Sequence, residues 1–358
     1  MRTLLAFAAG LALAGSVRAQ TPAQDDAFCA GTAGTSEQRL AACTRAITSG
    51  QLSREALART FYNRGIEWSD ARDHDRAISD YSEAIRLNPQ DASSFYNRGN
   101  SWRAKGDGEK AIADYTDAVR LNPRHASAYN NRGLAWADRR EYDRAIADYT
   151  DSLRVDPQHS SAYNNRGNAW RDKGDPDRAI ADFNEAIRIN PQYALAYSNR
   201  GLARADRREY GAAIADFDQA IRLNPQYANA FNNRGDAYGS SGDRARALAD
   251  YAEAVRLDSR NPGRFNRIAW RLAVSRDDQV REGKRAVEYA TQANELTSWR
   301  VGNYLDTLAA AYAETGNFSE AVRWEQKSLE DASFASSSGG ARARERLELY
   351  RAGKPFRE

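Results

Sequence analysis

Residues 126–159 read ASAYNNRGLAWADRREYDRAIADYTDSLRVDPQH. The Asn-Arg-Gly at 131–133 recurs at 63–65, 97–99, 165–167, 199–201 and 233–235, always 34 residues apart. Six matches at one fixed period define a repeat. Pro89, Pro123, Pro157, Pro191 and Pro225 keep that period, usually as Asn-Pro, a dipeptide that stops helices and opens turns. Within the stretch, Tyr129, Gly133 and Trp136 stand at i, i+4 and i+7, and Ala145, Tyr149 and Ser152 repeat the spacing. That spacing puts aromatic and small residues on one helical stripe, so each unit reads as two amphipathic helices joined by a turn.

A 34-residue helix-turn-helix period with these positions resembles the tetratricopeptide repeat family over residues 58–259. With each glycine set at position 8, the family pattern falls on Tyr129 at 4, Trp136 at 11, Ala145 at 20, Tyr149 at 24 and Pro157 at 32. The departures are local. Position 7, usually Leu, is Arg throughout; Arg204 replaces the aromatic at 11 of the fifth unit, and Ser259 replaces Pro in the sixth. The resemblance implies an all-α fold, a right-handed α-solenoid or superhelix of helix-turn-helix repeats, with the first helices lining a concave groove.

The arginine at 7 has a physical explanation. At 100° per residue it sits 60° from the stripe set by position 4, so its stem is half buried and its charge needs a partner. Position 23 holds the same flanking place on the second helix and is Asp in every unit. The expected pairs are Arg64 with Asp80, Arg98 with Asp114, Arg132 with Asp148, Arg166 with Asp182, Arg200 with Asp216, and Arg234 with Asp250. The guanidinium fork suits a carboxylate, and the pairs read as structural.

Position 6 lies 200° from position 4, on the face turned away from the core of its helix, and is Asn63, Asn97, Asn131, Asn165, Asn199 and Asn233. Asn is a mediocre helix former, so exposed copies add nothing to packing. In some superhelical members of the family an Asn ladder at this place grips the backbone of an extended peptide, and the resemblance implies the same here. A carboxamide offers a donor and an acceptor together, which matches a peptide unit without reading its side chain. The competing reading is that these residues bond only to neighbouring repeats. The adjacent positions vary more: Tyr62, Tyr96, Asn130, Asn164, Ser198 and Asn232 at 5, with Asn100, Asn168 and Asp236 at 9. Partner choice would sit in that variation, with Tyr62 and Tyr96 placed to stack on a ligand. With six Lys in all and none at position 5, a partner gripped along its length is favoured over one held by its terminal carboxylate.

Outside the repeats, residues 1–19 carry Arg2, an apolar run from Leu4 to Ala14, then Val17 and Ala19 at the spacing of a cleavage site, the pattern of a secretory signal peptide. The run is shorter than the ~20 residues a spanning helix needs, so no membrane span is expected after cleavage. Loss of Arg2 and Arg18 with no acidic residue takes the formal net charge from +3 to +1. Export to the periplasm of a Gram-negative bacterium would let Cys29 and Cys43, the only cysteines, form a disulfide that staples an N-terminal helical cap over 20–57. In that cap Ser36 is the expected N-cap of a helix through Ile47, and a second helix over 52–60 leads into the first repeat. Two divergent helical repeats are expected over 260–333. A linker follows, with a joint at 336–340, and then a short charged helix over 341–351 that either docks as a lid or stays mobile, within 334–358.

Chemistry is sparse. His74, His125 and His159 are read as loop residues at unrelated repeat positions and form no ligand set, and no phosphate-binding loop, metalloprotease motif or nucleophile elbow occurs. No catalytic residue, cofactor or metal is expected. Most cations are Arg interleaved with acids, which argues against nucleic acid. With 28% charged residues, 41% apolar residues and a mean hydropathy of -0.78, a multi-span membrane protein is excluded. The expectation is a non-catalytic scaffold that binds a protein or extended peptide in the groove. The alternatives are an accessory of polysaccharide export or envelope biogenesis, a non-catalytic subunit of an enzyme complex, or a groove filled by the protein's own tail or a second copy.

Overall fold

The computed structural model describes residues 21–278 and 280–358, which fall into two units, 21–155 and 156–358. The signal segment expected over 1–19 lies outside the described residues. The first unit holds α1 (Pro22–Ala30) and α2 (Ser36–Thr48), then three pairs: α3 (Arg54–Asp70) with α4 (His74–Leu87), α5 (Ala92–Ala104) with α6 (Gly108–Leu121), and α7 (Ala126–Asp138) with α8 (Tyr142–Val155). The second unit continues with α9 (Ser160–Asp172) and α10 (Pro176–Ile189), α11 (Ala194–Asp206) and α12 (Tyr210–Leu223), and α13 (Ala228–Ser240) and α14 (Arg244–Leu257). It ends with α15 (Pro262–Val274), α16 (Gly283–Leu296), α17 (Gly302–Glu314), α18 (Phe318–Ser328), α19 (Ala332–Ala335) and α20 (Ser338–Arg351). The described residues are all-α, without a strand, in helix pairs of the expected period.

Local chemistry sets the turns within each pair. The backbone is left-handed at position 15, where Arg72, Gly106, Arg140, Gly174, Arg208 and Gly242 have φ between 60° and 92°. Next in the chain, Asp73, Asp107, Asp175 and Asp243 cap the second helix by accepting from the N–H three residues on, at 3.0–3.2 Å. Packing inside a pair is fixed by glycine: a Cβ on Gly201 would lie 2.7 Å from the Phe217 ring, and that ring is fully buried against Ala213 and Ala237.

Both ends depart from the sequence expectation. Ser36 opens α2 rather than capping it. The cap is Thr35, whose hydroxyl accepts from the Gln38 N–H at 3.3 Å while the Gln38 side chain accepts from Thr35 at 2.9 Å, a reciprocal pair that satisfies two orphan donors. The unforeseen α1 packs against α2 and α3, and the Cys29–Cys43 disulfide joins it to α2. The helix expected at 52 starts at Arg54 and runs unbroken into the first repeat. At the other end the expected joint at 336–340 is largely the first turn of α20, capped by Ser337. That helix docks, burying Leu347 and Tyr350.

Candidate functional site

The Arg at 7 and Asp at 23 meet in every repeat. Arg64 donates from Nε and Nη2 to the two oxygens of Asp80, both at 2.7 Å. The same two bonds are both 2.8 Å for Arg98 with Asp114, and 2.8 and 2.7 Å for Arg132 with Asp148 and Arg166 with Asp182. They are 3.0 and 2.6 Å for Arg200 with Asp216, and 2.8 and 2.6 Å for Arg234 with Asp250. Each guanidinium also lies 5.4–5.7 Å over the ring at position 4. Burial pushes the Asp114 and Asp148 carboxyls up, with the paired guanidinium pulling the other way, while the bond to Asp148 raises Arg132. Position 23 is thus anchored by its arginine.

The third guanidinium nitrogen does what the sequence reading missed. Nη1 of Arg98 donates to Ser82 at 3.0 Å, that of Arg132 to Thr116 at 3.1 Å, that of Arg200 to Asn184 at 2.6 Å and that of Arg234 to Asp218 at 2.5 Å. All four acceptors sit at position 25 of the preceding repeat, so one arginine closes its own helix pair and ties it to the last. The signal was available, because position 25 is an oxygen-bearing residue in each of these repeats. The fifth-unit departure is also paired. Elsewhere a cation at 19 covers the ring at 11, as Arg144 does Trp136 at 4.6 Å. In the fifth unit position 19 is Ala212, and Arg204 turns to Asp216 at 2.9 Å instead.

The Asn ladder is not an exposed row, and that expectation is corrected. Asn199 is buried and the other five are half-buried, because the first helices of successive repeats touch along this face. In the first unit Asn97 Nδ2 donates to the Tyr62 hydroxyl at 2.9 Å, and Asn131 Nδ2 to the Tyr96 hydroxyl at 3.1 Å and to Asn100 Oδ1 at 2.9 Å. In the second, Asn199 Nδ2 donates to Asn164 Oδ1 at 2.9 Å. Position 6 therefore reaches back to position 5 or 9 of the repeat before. Tyr62 and Tyr96 are likewise engaged, each with its ring 6.0 Å from the buried tyrosine at 24, and Tyr96 also 4.6 Å from His125. His125 and His159 share position 34, each standing as the residue before a first helix, and His125 Nδ1 accepts the Ala128 N–H at 3.3 Å.

Some carboxamides stay unspent. Asn63, Asn168 and Asn233 are half-buried and make no side-chain hydrogen bond among the described residues. For Asn168 the reason is visible one helix away. Asn100 accepts from the Tyr115 hydroxyl at 2.8 Å, and Asp236 from Tyr251 at 2.7 Å, but the residue opposite Asn168 is Phe183, which has no hydroxyl.

At the far end of the second unit, the first-helix face of α15 and α17 together with α20 encloses a cleft of about 500 Å³. Taking Ala269 and Ala309 as position 8, Asn266 and Asp306 stand at 5, Arg267 and Thr307 at 6, and Trp270 at 9, so the cleft lies on the register of the ladder. Beneath it Arg346 of α20 is buried between Asp306, to which it donates at 3.0 and 2.5 Å, and Glu325, 3.3 Å away. Burial and the neighbouring carboxylate push the Glu325 carboxyl far up, and burial pushes Asp306 up. Among the described residues no cluster of His, Cys, Asp or Glu could hold a metal, and no helix is long and apolar enough to cross a membrane.

Tetratricopeptide repeat models match residues 62–120, 96–154, 137–194, 228–261 and 301–332, and a TPR repeat model matches 203–242. No curated protein matches the chain. Among solved structures, a tetratricopeptide repeat protein from Parabacteroides merdae is 18% identical with a TM-score of 0.52, over 82% of this chain and 98% of its own. PilF from Pseudomonas aeruginosa is 18% identical with a TM-score of 0.51, over 57% of this chain and 94% of its own. MamA is 26% identical over 45% of this chain and 94% of its own, with a TM-score of 0.42. The first two likenesses show the fold.

Proposed function

This chain belongs to the tetratricopeptide repeat family, a family of protein-binding modules, and from that we propose that it is a non-catalytic scaffold whose first-helix faces receive an extended segment of a partner protein. The observation that carries the reading is the set of unspent carboxamides: Asn63 in the first unit, and Asn168 and Asn233 in the second, are half-buried on first helices, at position 6 or 9, without an internal partner among the described residues. A half-buried amide without a partner costs free energy unless water or a ligand supplies one, and an extended backbone presents the matching donor and acceptor. Asn97, Asn131 and Asn199 tie successive first helices together and shape the face.

The proposed place of action is the periplasm. The composition of residues 1–19 supports it, and so does the Cys29–Cys43 bond, which an oxidising compartment favours. The test is affinity capture from envelope extract by the chain and by its Asn63→Ala, Asn168→Ala, Asn233→Ala triple variant. The variant is expected to melt as the original does and to lose the specific partners. An unchanged partner list would sink the reading.

A further inference from the structure

In the second unit the last residues of the chain lie extended over the first-helix face of α15 and α17. After α20 the backbone turns at Gly353, with φ 68°, and residues 354–358 form no helix. The Phe356 ring sits 6.2 Å from that of Trp270, and the Arg346 guanidinium lies 5.2 Å over Trp270 and 5.5 Å over Phe356. Arg357 Nη2 is 2.6 Å from Glu314 Oε2, an ion pair. The Glu358 N–H donates to the Val274 carbonyl at 2.8 Å, and the Trp270 indole N–H donates to the Glu358 carboxylate at 2.6 Å. The aromatic and the acid thus meet the ring and the indole N–H of one residue, Trp270, the cation meets Glu314, and the backbone is gripped once.

We infer that this cleft is a recognition site for an extended partner segment carrying an aromatic, a cation and an acid in that order, and that the chain's own tail is its resident competitor. The inference rests on the reading of the first-helix faces given above, and it names the class of segment and the device that regulates access. Two observations separate a displaceable competitor from a permanent lid.

The cleft holds groups that the tail leaves unsatisfied. Asn266 Oδ1 is buried without a hydrogen-bond partner, and Arg271 and Arg342 line the cleft with no carboxylate in ion-pair range among the described residues. An incoming segment with a free N–H and further acidic side chains satisfies both, and charge complementarity makes it acidic beyond the triplet. The tail, in turn, is held weakly. Pro355, Phe356 and Arg357 are only half-buried and Glu358 is exposed. Its salt bridge, Arg357 to Glu314, is partly buried, with side chains 31% and 13% exposed, and the tether adds to it by keeping the tail close, at an effective concentration on the order of millimolar.

The probe is the fluorophore-labelled pentapeptide acetyl-Lys-Pro-Phe-Arg-Glu-amide, titrated by anisotropy against the full chain and against the full-length Phe356→Ala, Arg357→Ala variant. Releasing the tail should tighten peptide binding about tenfold, the factor reached when the effective concentration of the tethered tail is about tenfold above its own dissociation constant. Adding Trp270→Ala should abolish the gain, and a peptide with Ala for Phe should bind at least tenfold more weakly. Equal affinity for the chain and its tail variant, or binding indifferent to Trp270, would overturn the inference. Should the double variant lose helicity, Arg357→Glu alone serves, since it breaks the tail's salt bridge to Glu314 and must still tighten the peptide. If the peptide fails while the Asn63, Asn168, Asn233 variant still loses its partners, only this inference falls; if the peptide binds while those partners are kept, the wider reading falls and the cleft remains.

Discussion

The same substitution at two glycines of one repeat should have opposite signs. Gly201 and Gly211 both lie in helices of the fifth unit, and Ala at either gains about 0.5–1 kcal/mol by reducing the freedom of the unfolded chain. A Cβ at Gly211 meets nothing within 4 Å, so Gly211→Ala keeps that gain. A Cβ at Gly201 would lie 2.7, 2.9 and 3.0 Å from three ring atoms of Phe217, closer than real Cβ contacts come. Phe217 is 0% exposed and packed against Ala213 and Ala237, so the ring cannot retreat without moving the helix pair. Overpacking of this kind costs about 1–3 kcal/mol against that gain of about 0.5–1, which leaves Gly201→Ala net destabilised by up to about 2.5 kcal/mol. Urea unfolding followed by far-ultraviolet circular dichroism reads both changes, as shifts of midpoint, with the slope checked because repeats need not unfold together. Adding Phe217→Leu should recover part of the Gly201→Ala loss as a coupling between the two sites. If Gly201→Ala raises the midpoint as Gly211→Ala does, close packing at position 8 does not govern the fold.

Three further outcomes are expected. Arg132→Ala strands the buried Asp148 and should cost about 3 kcal/mol in the same assay, more than a paired Arg132→Met, Asp148→Leu replacement, since breaking a buried pair is worse than removing it. Glu325 holds a proton in the folded state that the unfolded chain releases near its ordinary value of 4.5, so its contribution to stability is full below that value and is lost as pH rises through the folded value. Melting temperatures measured across pH should therefore fall less steeply with rising pH in Glu325→Gln than in the original. Arg140→Gly, at a left-handed position with φ 60°, should raise the urea midpoint by the equivalent of about 0.5–1 kcal/mol, as Gly already serves at the matching position of alternate repeats.

The sequence by itself determined whatever repeats and is local. The 34-residue period places the helices, and the angular positions of 7 and 23 bring Arg132 to Asp148 because both flank the same stripe. The paired cysteines were legible for a different reason, being the only two in the chain. The tertiary structure alone decided what neighbouring repeats do to one another. Helical angle says that Asn97 and Asn131 turn from their own core; it cannot say that the preceding first helix arrives on that side and takes their donors with Tyr62, Tyr96 and Asn100. Nor does any period predict the end of the second unit, where Arg346 is buried between Asp306 and Glu325 and the tail reaches Trp270, 88 residues away in sequence. Those contacts join segments that occur once, and only packing in three dimensions brings them together.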